Sequence, residues 1–228
     1  MGFGIQKTIN LILALVKWPV ALAMVFLLIP AIKTDVLVAD NGLTLPILSW
    51  FFLPLLVTLV LWLIIPGLSG SALSIFEHEI THMLFAILTF HSPQDINIQR
   101  GIGGNFVFAG RGNWLIFIAP YFFPTSAALV IAAGGLYALT GEVIPNPYWL
   151  VLGVMTGYHL ISTLDEIHIG QTDFKVAGYI FSILFLPGAN ILTYGLLMAF
   201  ACHGFSGWGL YLKALAEQTR LFAQIWGL

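Results

Sequence analysis

Charge is scarce in this sequence. Eight basic and ten acidic residues stand among 228, so 8% of the chain is charged and 59% is hydrophobic, where a soluble domain runs at about 25% charged. With a mean hydropathy of +0.97, only a bilayer suits the chain, and a water-soluble globular domain is excluded. No run of like charge accompanies the net charge of -2, so neither nucleic acid nor an acidic tail is indicated. Cys202 is the single cysteine; an intrachain disulfide is impossible, and beside His203 the residue reads as a lone buried thiol. No N-x-[ST] acceptor occurs, and Gly2 lacks the Ser or Thr that N-myristoylation requires. Lys7 precedes a long apolar run with no A-x-A site after it, so that run is expected to be a retained membrane segment.

What is abundant is long apolar stretches. A spanning helix needs about 20 mainly apolar residues, and six stretches reach that length: 10 to 31, 43 to 66, 70 to 90, 113 to 140, 148 to 169 and 174 to 202. The expected fold is an all-α membrane protein of six transmembrane helices forming a single integral membrane domain over 1 to 228. Lys17 lies close enough to the start of the first span to snorkel to the interface. Between His91 and Asn113, Ile96-Asn97-Ile98 and Phe106-Val107-Phe108 flank Arg100-Gly101-Ile102-Gly103-Gly104-Asn105, which predicts a small β-hairpin with a glycine turn. From Trp208 onward Lys213, Glu217, Arg220 and Gln224 recur at four, three and four residues, the pattern of a C-terminal amphipathic helix lying in the membrane interface or packed on the bundle. The positive-inside count is a tie for six spans, and orientation stays open.

Segment 70 to 90 contains H-E-x-x-H at His78, Glu79 and His82. On a helix the two histidines sit about 40° apart around the axis and about 6 Å apart along it, close enough to share one metal. Zinc accepts neutral imidazole and keeps an open position for water, which it acidifies; Glu79 on the adjoining flank can take the water's proton. Composition alone yields this string in roughly one such sequence in three hundred. The competing reading is a polar cluster or proton path of a transporter or assembly factor. It leaves the residue order and spacing unexplained, although ionisable residues at membrane depth commonly serve such paths. Glu77 points elsewhere around the helix and is expected to support the site or to pack.

With these residues the sequence resembles the site-2 protease family of intramembrane zinc metallopeptidases, in which H-E-x-x-H lies inside a transmembrane helix. The likeness continues in a glycine-containing hairpin, here Ile96 to Gly110, and in a helix opening with a small residue and proline, here Ala119-Pro120-Tyr121-Phe122-Phe123-Pro124. It covers about 70 to 180, a metallopeptidase-like core. The resemblance implies a Zn2+ enzyme that hydrolyses peptide bonds of membrane-embedded or membrane-proximal polypeptides. It further implies a cytoplasm-proximal site in a bacterial inner membrane, with both termini cytoplasmic. Lipid and a transmembrane polypeptide substrate are the expected partners, and the oligomeric state is open.

The family's third ligand, an aspartate in L-D-G, has no counterpart string here. Tyr158-His159-Leu160-Ile161-Ser162-Thr163-Leu164-Asp165-Glu166-Ile167-His168-Ile169-Gly170-Gln171-Thr172-Asp173 stands in its place. Asp173 resembles the Ser-Asp variant of compact bacterial relatives and is the expected ligand, with Asp165 and His159 as alternatives and Glu166 behind them. Asp173 requires an unwound segment near Thr163 to Gln171, which is allowed at depth only where backbone lines a cavity. His168 and Asp165 otherwise read as an ordinary polar loop.

Overall fold

The computed structural model describes residues 2–65, 68, 71–99 and 103–227. Helix α1 spans Gly2–Gly42 without interruption by Pro19 or Pro30; at 1.5 Å per residue its 41 residues extend about 60 Å. Helix α2 (Leu45–Ile47), a π-helical stretch (Leu48–Phe52) and α3 (Leu53–Ile64) follow as one continuous rod. The widened turn lies just ahead of Pro54, whose missing N–H removes one rung of the helical ladder.

Ser71 caps α4 (Ala72–Leu88), its hydroxyl accepting the Ser74 N–H at 3.3 Å. At the other end Phe90 adopts φ +61°, while the N–H groups of Phe90 and His91 return to the carbonyls of Ile87 and Ala86, a Schellman stop. The expected hairpin follows: β1 (Pro93–Gln99) pairs antiparallel with β2 (Gly103–Phe108), Ile96 opposite Phe106 and Ile98 opposite Gly104. Arg100, Gly101 and Ile102 of the expected turn lie outside the described residues. Gln6 and Asn10 of α1 donate to the carbonyls of Ala109 and Arg111, holding the base of the hairpin against the start of α1.

Helix α5 (Trp114–Ile118), a 3-10 turn (Ala119–Tyr121) and α6 (Thr125–Ala138) form a pair bent by 83°. Pro120 and Pro124 flank the bend, and Asn190 donates to the freed Tyr121 carbonyl at 2.9 Å, so the break leaves that backbone group satisfied. Then come α7 (Asn146–Glu166), the short α8 (Thr172–Ala177), α9 (Tyr179–His203) and α10 (Phe205–Ile225).

The chain is therefore predominantly helical with one small antiparallel sheet, as expected, but the span count differs. Among the described residues three helices are long and apolar enough to cross a bilayer, α1, Leu45–Ile64 and α9, or four with the bent pair α5/α6. Helix α4 has only 17 residues and carries Glu77, His78, Glu79 and His82, so the stretch 70 to 90 is shorter and more polar than a free-standing span. Direction matters as well. Helices α1 and α9 run parallel: a Cβ at Gly188 would strike Met24, one at Gly195 Asp35, and one at Gly42 Cys202, so the two rise together. Six strictly alternating spans ending in α9 would make the first and last antiparallel, which this packing excludes. Apolar length reports how far a stretch reaches and not which way it runs.

Small residues allow these close approaches. At the α3/α7 crossing a Cβ on Gly157 would lie 2.7 Å from the Leu55 carbonyl oxygen. The C-terminal helix also departs from the interfacial placement: α10 packs lengthwise and antiparallel along α1, with Tyr211 bonded to Asp35 at 2.8 Å and Phe222 edge-on to Phe26 at 5.3 Å. Of the two placements allowed by its pattern, packing on the bundle is the one observed.

Candidate metal centre

Helical spacing puts His78 and His82 on one face of α4, their Nε2 atoms 3.0 Å apart. Facing them is Asp173 at the start of α8, with Oδ2 3.3 Å from His78 Nε2 and 3.4 Å from His82 Nε2. The chain between α7 and α8, 167–171, is non-helical, the unwound segment that Asp173 needed in order to reach this level. His78, His82 and Asp173 form a group able to hold a metal ion among the described residues.

The other candidates go elsewhere. Asp165 Oδ2 accepts the Trp62 indole N–H at 2.5 Å on the side of α7 facing α3. His159 is buried with its Nδ1 3.6 Å from Glu77 Oε1. Neither joins the triangle: Asp165 faces α3, and His159, on the same face of α7 as Glu166 but about two turns earlier, lines a small pocket with Glu77 and His78 beside the triangle. Glu166, ranked last as a ligand, lies 2.5 Å from His78 Nδ1 and orients that ring. Glu77 points behind the site, where its Oε1 accepts the Ser126 N–H at 2.9 Å.

The hydrogen bonds fix what the three converging atoms present. His82 Nδ1 lies 2.8 Å from the Ile116 carbonyl oxygen and must donate to it; His78 Nδ1 faces the Glu166 carboxylate and donates in the same way. In its neutral form each ring then turns an Nε2 without a proton toward the other. Asp173 adds a carboxylate oxygen, which also accepts the Tyr121 hydroxyl at 2.9 Å. Three lone pairs pointing at one another repel unless a cation lies between them. Tetrahedral zinc with bonds of 2.0–2.2 Å separates its ligands by roughly 3.3–3.5 Å, and the three observed edges lie close to that.

The bent pair supplies much of this arrangement. The Ile116 carbonyl on α5 accepts from His82 Nδ1, Tyr121 in the 3-10 turn donates to Asp173, and the Ser126 N–H on α6 donates to Glu77. Sequence reasoning did not reach Tyr121 or the Ile116 carbonyl. A backbone acceptor has no side-chain signature, and the small-residue-proline opening at Ala119-Pro120 was the one cue that this stretch mattered.

The triangle opens onto a cavity of about 520 Å³ lined by Glu79, Gly104, Asn105, His168 and Gln171. Glu79 lies against β2 so closely that any Cβ at Gly104 would strike its carboxylate. His168, read as plain loop, lines this cavity and accepts the Gly170 N–H on Nδ1 at 3.1 Å. A second, largely apolar groove of about 610 Å³ between α7 and α9 holds no comparable ionisable cluster. Comparison with family models, curated proteins and solved structures finds no match for this chain.

Proposed function

We propose that this protein is an intramembrane zinc metallopeptidase that cleaves membrane-embedded or membrane-proximal polypeptides. The observation that carries the reading is the convergence of two imidazole Nε2 atoms and a carboxylate oxygen at 3.0, 3.3 and 3.4 Å. The Glu166 and Ile116 partners support it, since metal-bound imidazoles characteristically donate their other N–H to a carboxylate or carbonyl. His78, His82 and Asp173 would hold the ion, and zinc supplies a Lewis acid that acidifies water and polarises a carbonyl.

The chain's own groups divide the remaining work. Glu79 takes the proton of the attacking water and passes it to the leaving amine. Tyr121 holds Asp173, and Glu166 holds His78 in the tautomer that leaves Nε2 free. Among the described residues strand β2 pairs only with β1, and an extended substrate segment can add to its other edge as a further strand. The competing reading, a non-catalytic membrane protein with a buried metal or proton site, leaves the order and spacing of His78, Glu79 and His82 unexplained.

Co-expression with a single-span substrate tests the proposal, read by cleavage and by zinc content of the purified protein. His78→Ala and His82→Ala are expected to lose zinc and activity together. Glu79→Gln is expected to keep zinc while cleavage falls at least about 10²-fold, as for a lost general base. Wild-type cleavage by Glu79→Gln, or full zinc in both histidine variants, would overturn the reading.

A further inference from the structure

The outer face of α10 is where charge and depth disagree. Lys213, Glu217, Arg220 and Gln224 are all exposed along it, and Arg220 pairs with Glu217 of its own helix at 2.7 and 3.0 Å. The inner face is already used: Tyr211 is fully buried against α1, and Phe222 packs on Phe26. Phe26 sits near the middle of the uncharged run between Lys17 and Lys33 of the long apolar α1. Because α10 follows α1 lengthwise, Glu217 and Arg220 stand at the depth where α1 meets hydrocarbon. Charged side chains at that depth face protein or a water-filled cavity, since lipid solvates them poorly.

We infer that the outer face of α10 is a contact surface for a second copy of this chain, the two α10 helices lying side by side about a twofold axis along the membrane normal. The stripe is self-complementary in that arrangement. Residues three and four apart along one helix face the same turn of a parallel neighbour, so Glu217 of each copy comes within reach of Lys213 and Arg220 of the other. A twofold interface then satisfies both copies with one pattern. Lys213, which has no acidic partner among the described residues, gains one. Ala216 and Gly209, whose Cβ position is open, border the stripe and allow the backbones to approach, while polar groups hold helices together in lipid. The inference does not depend on the proposed activity.

The test is the oligomeric state of the full chain, by light scattering in detergent and by cross-linking in native membranes. Wild type is expected to be a dimer. Glu217→Arg and Arg220→Glu, each alone, are expected to weaken self-association by about tenfold or more. Differently tagged Glu217→Arg and Arg220→Glu chains expressed together are expected to co-purify as a mixed dimer, because the opposed charges are restored across the interface. That rescue also shows that both variants fold. A wild type that is monomeric in membranes, variants that self-associate like wild type, or a mixed pair that fails to form would overturn the inference, as would a different protein bound stoichiometrically in place of the second copy.

Discussion

At the residue scale, the structure separates groups that share a sequence neighbourhood. Asp165, Glu166, His168 and Asp173 lie within nine residues, yet one bonds Trp62, one orients His78, one lines the cavity and one completes the triangle. Asp173→Ala is therefore expected to remove zinc, whereas Asp165→Asn and His159→Ala retain it, measured as metal per protein after purification. Glu166→Leu strips His78 Nδ1 of its acceptor and should weaken zinc binding by about 10- to 100-fold, the usual effect of losing such a partner; Glu166→Gln keeps an acceptor oxygen and should lose less. The H-E-x-x-H residues were legible because one helix encodes their spacing. The third position was legible only as a choice among Asp173, Asp165 and His159, since it depends on where α7 unwinds.

At the scale of elements, the hairpin and the bent pair show what pattern can and cannot reveal. The hairpin was readable from Ile96 and Ile98 set against Phe106 and Phe108 across a glycine-rich turn. Its contact with Glu79 was not, because that rests on the one position, Gly104, where any side chain collides with the carboxylate. Gly104→Val is expected to push β2 from α4, lowering cleavage while zinc remains, since no metal-facing atom is touched. Prolines 120 and 124 marked an opening, but the 83° bend and the three groups it delivers come from packing. The stop of α4 offers a stability test. Phe90 is half exposed at φ +61°, a conformation that costs a non-glycine residue roughly 1 kcal/mol. Phe90→Gly is expected to raise the unfolding midpoint in detergent by a small amount, and a lowered midpoint would mean that the Phe90 ring contributes more than its backbone costs.

At the scale of the whole molecule, the six-span reading and the structure place the same loops on different sides of the membrane. Six alternating spans put the segment around Asp40 opposite the segment around Glu142. They also put the base of the hairpin on the same side as Asp40. The packing reverses both relations. Gly42 lies against Cys202, and Gly135 lies against Phe205, so the ends of α1, α6 and α9 gather at one pole. Asn10 and Gln6 hold Arg111 and Ala109, so the hairpin base shares the other pole with the start of α1. This grouping also breaks the tie in basic residues. Lys7, Lys17, Arg111 and Lys175 belong to the hairpin pole, Lys175 through the α8 to α9 turn, where a Cβ on Gly178 would lie 3.7 Å from Lys17 Nζ. Lys33 and Lys213 belong to the opposite pole, near the Asp35 to Tyr211 bond. Basic residues favour the cytoplasmic side, so the hairpin pole, with the candidate metal site nearer to it, is expected to face the cytoplasm. Reporter fusions after Asn41 and after Glu142 should both report the outer side, and an accessibility label at Arg111 the inner side. Opposite sides for Asn41 and Glu142 would restore the alternating count and contradict the parallel packing of α1 and α9.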